Sequence, residues 1–91
     1  MENSCLFCKI VKGEIPANKL YEDDDLLAFH DINPEAPLHF LVIPKKHISG
    51  PGDVTEEDQL LIGRLMKKGA ELARENGYDD FRFIVNNGAG A

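Results

Sequence analysis

One long helical pattern over residues 55–76, set behind a series of short β runs, does most to limit what this chain can fold into. Leu61, Leu65 and Leu72 mark one stripe of it, with Ile62, Met66, Ala70 and Ala73 alongside. Thr55 is a good N-cap, and Glu56, Glu57 and Asp58 suit the positive end of the helix dipole. Gly77 is a natural residue to stop the helix. Ahead of this helix lie three β-type runs: Lys19–Glu22, residues 26–31 and residues 39–43. A fourth, residues 81–85, follows it. Short strands that follow one another closely, plus one long helix, predict an α+β fold with a mostly antiparallel sheet. The last run leads into Asn86-Asn87-Gly88-Ala89-Gly90-Ala91, a turn of the kind that introduces another strand. The sheet therefore reads as lacking its final strand.

The connections are equally legible. Residues 5–12 can form one or two helical turns, which Gly13 stops before Ile15-Pro16 leaves as extended chain. Glu22-Asp23-Asp24-Asp25 reads as a solvated hairpin tip. Asn33-Pro34-Glu35-Ala36-Pro37 is a two-proline loop, Pro44 ends the third run, and Ser49-Gly50-Pro51-Gly52 is a breaker cluster.

At 91 residues the chain is one small domain, 1–91, with a thin margin of stability. A metal, a dimer or both is the expected support. Asp and Glu number 16 against 10 Lys and Arg, a net charge of −6. That balance argues against a nucleic-acid polymer, because a phosphate backbone rewards clustered cations. It leaves room for a single nucleotide held by a few backbone N–H groups. No stretch approaches the roughly 20 apolar residues of a membrane span. The N-terminus does not read as a signal peptide, so a cytoplasmic protein without a membrane partner is expected.

Several residues carry two readings each. Cys5 and Cys8 could be half of a zinc site, two small buried residues, or a redox pair, in that order; a disulfide across so small a loop is not expected. His47, after two lysines, reads by itself as a surface histidine. Asp31 is either a solvated turn residue before Asn33-Pro34 or a carboxylate placed to take both hydroxyls of a ribose. His39 falls in a run whose two faces both look buried and is read as structural. Asn86, Asn87, Gly88 and Gly90 form a turn or a phosphate-side loop. Lys45 and Lys46 are too few for a nucleic-acid patch.

Four segments in order resemble the histidine-triad (HIT) family, in its Hint-type purine nucleoside phosphoramidase branch. They are Cys5-Leu6-Phe7-Cys8-Lys9-Ile10-Val11 with Gly13-Glu14-Ile15-Pro16; Tyr21-Glu22-Asp23-Asp24 with Ala28-Phe29-His30-Asp31-Ile32-Asn33-Pro34; His39-Phe40-Leu41-Val42-Ile43-Pro44-Lys45-Lys46-His47-Ile48; and Val85-Asn86-Asn87-Gly88. The resemblance implies a HIT-like fold and hydrolysis of the P–N bond of adenosine or guanosine 5′-phosphoramidates. A histidine attacks the α-phosphate, and water releases the resulting nucleotidyl-histidine. It implies a nucleoside pocket lined by Leu6, Phe7, Ile10, Phe29, His30, Asp31, Ile32 and Asn86 for an AMP- or GMP-like ligand. It implies a structural zinc on Cys5, Cys8 and His47, completed by one histidine of the family's triad. It also implies a homodimer built on residues 55–76 and 81–85. The family's H-x-H-x-H run would fall beyond Ala91, and none of His30, His39 and His47 matches its nucleophile. These 91 residues are therefore expected to bind without hydrolysing.

Overall fold

The computed structural model describes residues 5–87. The chain divides into two compact units, residues 1–47 and residues 48–91.

The first unit opens with the short helix α1, Leu6–Val11, for which Cys5 is the N-cap. The helix stops because Gly13 takes φ 81°, a left-handed conformation that a side chain resists. That turn lets Gly13 N–H reach the Ile10 carbonyl and Glu14 N–H reach Lys9, closing a Schellman motif. Strands β1 (Lys19–Glu22), β2 (Leu26–His30) and β3 (Phe40–Pro44) follow, in a sheet of order β1-β2-β3. Both pairings are antiparallel. A register irregularity between Lys19 and Tyr21 interrupts the first. The second runs evenly from Leu26 opposite Pro44 to His30 opposite Phe40.

The β1–β2 turn is built around Asp23, whose Oδ1 accepts from the backbone N–H groups of Asp25 and Leu26 at 2.8 Å each. Tyr21 Oη donates to Asp23 Oδ2 at 2.7 Å. The acidic tip is thus an Asx turn with a phenolic tether, in which the Asp23 carboxylate sets the turn while Asp24 and Asp25 are exposed. Glu22 sits between two lysines, Lys19 and Lys45, at 2.8 Å each, so the contact spans both outer strands. Their hydrogen bonds hold its carboxyl at about 2, well below the ordinary carboxylate range.

The core of this unit is Ile10, Leu27, Phe29 and Ile43, with Val11, Ile15, Ala17 and Leu41 packed against it. Leu26, Leu27 and Ala28 are all inaccessible to solvent, so β2 is closed on both faces, as a central strand should be.

In the second unit, one-turn 3₁₀ helices at Pro51–Asp53 and Glu56–Asp58 lead into α2, Gln59–Glu75. The sequence places the helix start at Thr55; the first turn is 3₁₀, and Thr55 and Asp58 close a capping box there. Asp58 Oδ2 accepts from Thr55 N–H at 3.3 Å and from Thr55 Oγ1 at 3.1 Å, which satisfies a carboxylate that is otherwise buried. Gly69, Leu72 and Ala73 form the buried stripe of α2, while Met66 is exposed. At the far end Gly77, with φ 92°, ends the helix through a second Schellman motif: its N–H bonds the Arg74 carbonyl, and Tyr78 N–H bonds that of Ala73.

Three expectations from sequence are corrected. Residues 81–85 form no strand. A strand is defined by its ladder, and among the described residues the sheet ends at three strands, leaving Ile84 and Val85 72% and 63% exposed. Residues 39–43 do not bury both faces, since within β3 only Ile43 is buried. Finally, His39 lies just outside β3, part-exposed, and has partners of its own. Gly88 and Gly90, part of the phosphate-loop reading, lie outside the described residues.

Candidate functional site

Two clusters in the first unit collect most of the residues singled out from sequence. One contains sulfur. The α1 geometry sets Cys5 and Cys8 one turn apart, and Cys8 N–H donates to Cys5 Sγ at 3.3 Å. His47 arrives from the far end of β3, where Lys45 N–H bonds the Asp25 carbonyl at 2.8 Å and fixes the chain as it leaves the sheet. Cys8 Sγ and His47 Nδ1 are 3.0 Å apart. The ligand atoms of Cys5, Cys8 and His47 all lie within 4.8 Å of one another. In a tetrahedral zinc site, bond lengths of about 2.3 Å to sulfur and 2.0–2.1 Å to nitrogen put neighbouring ligand atoms roughly 3.5–3.8 Å apart. Small side-chain rotations cover the difference, so two thiols and one imidazole fit a zinc ion with one position left for a fourth ligand. The amide contact to Cys5 Sγ is of the kind that supports a coordinating thiolate. Cys5 and Cys8 are thiols, not a disulfide.

The second cluster lies where β2 runs into its connection to β3. Asp31 N–H bonds the His39 carbonyl at 3.0 Å, one step beyond the His30–Phe40 pair, so the strand register sets Asp31 and His39 opposite each other. His39 Nε2 lies 3.3 Å from Asp31 Oδ2, and Asp31 Oδ1 accepts from Asn33 N–H at 2.9 Å. Glu35 N–H donates to His39 Nδ1 at 3.0 Å. The Asp31 side chain keeps 27% of its surface open.

The remaining pocket candidates divide. Phe7 lies beside Phe29, ring centroids 6.3 Å apart, with Phe7 and Leu6 exposed and Phe29 buried. Ile10 belongs to the core. His30 ends β2, and Ile32 is 91% exposed. Asn86 is exposed in the second unit. There it is the neighbouring Asn87 that makes a defined contact, accepting Gly52 N–H at 2.7 Å. A Cβ at Gly50 would meet that same oxygen at 2.6 Å and the Asn87 Cα at 3.1 Å, so a side chain there would have to displace the Asn87 amide. Sequence reasoning missed the His39–Asp31 contact, because the long β2–β3 connection leaves the hairpin register open.

An antiparallel hairpin sheet with a short cysteine-bearing helix before it and a capped long helix after it is the architecture of histidine-triad proteins. A family model described as the scavenger mRNA decapping enzyme C-terminal binding region matches residues 4–89. Protein HitA of Neisseria gonorrhoeae is 45% identical over 89 residues, which span 97% of this chain and 83% of that protein. An uncharacterised HIT-like protein of Synechocystis is 48% identical over 90 residues, covering 98% and 79%. The crystal structure of a HIT family hydrolase from Legionella pneumophila superposes with a TM-score of 0.90 at 44% identity, covering 96% of this chain and 80% of that one. The chain belongs to the histidine-triad family. Among the described residues, no helix is long and apolar enough to cross a membrane.

Proposed function

We propose that this chain is the nucleotide-binding portion of a purine nucleoside phosphoramidase, and that it holds an AMP- or GMP-like ligand by its ribose at Asp31. The observation that carries this reading is the Asp31 carboxylate: fixed at a strand end by His39 and Asn33, part-exposed, and followed by the exposed apolar side chain of Ile32. A carboxylate so placed accepts from both ribose hydroxyls and repels a 2′- or 3′-phosphate. Hydrolysis of a P–N bond through a nucleotidyl-histidine needs a nucleophile that none of His30, His39 and His47 matches, so these 91 residues bind without turnover. The test is calorimetric titration with AMP. Asp31→Ala should weaken binding about tenfold or more, the effect of a lost charged hydrogen bond of about 1.5–3 kcal/mol. Unchanged affinity removes Asp31 from the site, and steady hydrolysis of adenosine phosphoramidate by the 91-residue chain overturns the assignment of the chemistry to other residues.

Cys5, Cys8 and His47 would hold one zinc ion in a structural role, tying α1 to the end of β3. The support is their mutual approach within 4.8 Å. With only these three ligands the ion would be weakly held; a version that carries the family's triad segment should contain stoichiometric zinc, and Cys8→Ala in that version should abolish it, whereas undiminished zinc would sink the assignment. The same cluster supports a second reading, a small zinc protein with a vestigial pocket. Stoichiometric zinc with no AMP binding selects it.

A homodimer is part of the same reading, with residues 55–76 and 81–85 at its interface. The exposed Leu60, Phe81, Phe83, Ile84 and Val85 support it. A reducing, cytoplasmic setting suits two thiols that must remain available to metal.

A further inference from the structure

The Asp31 carboxylate is held at both oxygens before any ligand arrives. An ionised carboxylate offers about four lone-pair sites, two on each oxygen. Asn33 N–H takes one on Oδ1, at 2.9 Å, and the His39 ring lies against Oδ2 at 3.3 Å. One site on each oxygen is left, which matches two adjacent hydroxyl donors on one sugar. The imidazole is itself constrained. Glu35 N–H donates to Nδ1, so Nδ1 must present its lone pair, and the ring proton sits on Nε2, facing Asp31. The β2–β3 register sets this up, because Asp31 N–H bonds the His39 carbonyl across the hairpin. His39 keeps 32% of its side chain exposed, so it is not there to fill the core.

We infer that His39 is a positioning residue for vicinal-diol specificity: through its Nε2–H it fixes the rotation of the Asp31 carboxylate so that the remaining lone pairs meet the 2′- and 3′-hydroxyls of a ribose. This rests on the nucleotide reading above. Without His39 the carboxylate is held at Oδ1 alone, by Asn33 N–H, and the orientation of Oδ2 that the second hydroxyl needs is no longer fixed.

The experiment is calorimetry with AMP and with 2′,3′-dideoxy-AMP on the wild type and on Asp31→Ala, His39→Ala and His39→Gln. His39→Ala should lose about threefold to tenfold in AMP affinity, the range of one ordinary net hydrogen bond, and nothing for the dideoxy ligand. His39→Gln should recover most of the AMP affinity, since its amide can donate to Asp31 and accept from Glu35. A purely structural role would weaken both ligands alike, and that result, or wild-type AMP affinity in His39→Ala, overturns the inference while leaving the Asp31 assignment standing. If the wild type does not favour AMP over the dideoxy ligand, or Asp31→Ala changes nothing, the nucleotide reading itself fails. Should His39→Ala not fold, the nitrogen-15 imidazole spectrum of the wild type decides: an Nε2–H tautomer at His39 agrees, and an Nδ1–H tautomer overturns.

Discussion

Two five-residue segments of nearly the same character meet opposite fates. Leu26-Leu27-Ala28-Phe29-His30 becomes the central strand of the sheet, with Leu26, Leu27 and Ala28 closed off entirely. Phe81-Arg82-Phe83-Ile84-Val85 has at least as strong a β preference, yet forms no ladder and leaves its apolar side chains open. Its contacts are local: Phe81 meets Phe83 edge-on, centroids 5.6 Å apart, and Arg74 lies 5.9 Å from the Phe81 ring centre. The difference is the neighbour. β2 finds β1 across a tight Asx turn and β3 across a nine-residue connection of residues 31–39, so both of its edges are satisfied by nearby chain. Residues 81–85 have no such partner among the described residues. β propensity measures how well a residue suits a paired, half-buried surface, and it cannot create the pair.

The largest effect should come from cutting into the satisfied strand. Leu27→Ala removes a fully buried side chain from the centre of the first unit's core and should cost about 2–5 kcal/mol in urea unfolding, the range of such core truncations. A loss under about 1 kcal/mol would mean the strand is less closed than its burial shows.

Next in size is the helix stop that precedes the unpaired segment. Gly77→Ala forces a side chain into the left-handed region and should cost about 1–2 kcal/mol. Open space surrounds that position, so the penalty is backbone strain alone. Gly63, inside α2 and equally uncrowded, is the control: Gly63→Ala should stabilise by roughly 0.5–1 kcal/mol. Equal effects at the two sites would remove the Schellman turn as the reason the chain leaves the helix where it does.

Phe83→Ala should change the stability of dilute protein by no more than about 0.5 kcal/mol, the usual limit for an exposed site. At higher concentration the homodimer reading expects a larger, concentration-dependent loss, with residues 81–85 covered by a second copy; a large loss that is independent of concentration would break the comparison.

Smallest is the ion cluster that joins the outer strands. Glu22 is held at about 2 against an ordinary 4.5 by hydrogen bonds from Lys19 and then Lys45. A depressed carboxyl stabilises the fold above its unfolded value and loses that contribution as the pH falls. The melting temperatures of wild type and Glu22→Gln should therefore differ above about pH 4.5 and converge towards pH 2. Because Glu22 is solvent-facing, added salt should narrow the gap.

Much of this protein was legible from short stretches of sequence. Gly13 and Gly77 as helix stops, Thr55 as a cap, the acidic tip and the α+β class all depend on interactions within a few residues, where one conformation wins locally. The family pattern added the grouping of Cys5, Cys8 and His47, although Cys8 and His47 lie 39 positions apart and nothing local connects them. Tertiary structure alone decided what depended on a distant neighbour. It put His39 opposite Asp31 through the hairpin register, took Gly69 into the buried stripe of α2, and left residues 81–85 without a ladder. Caps and turns are settled by bonds a chain makes with itself at short range; a strand, a carboxylate clamp and a metal cage need groups that only folding brings together.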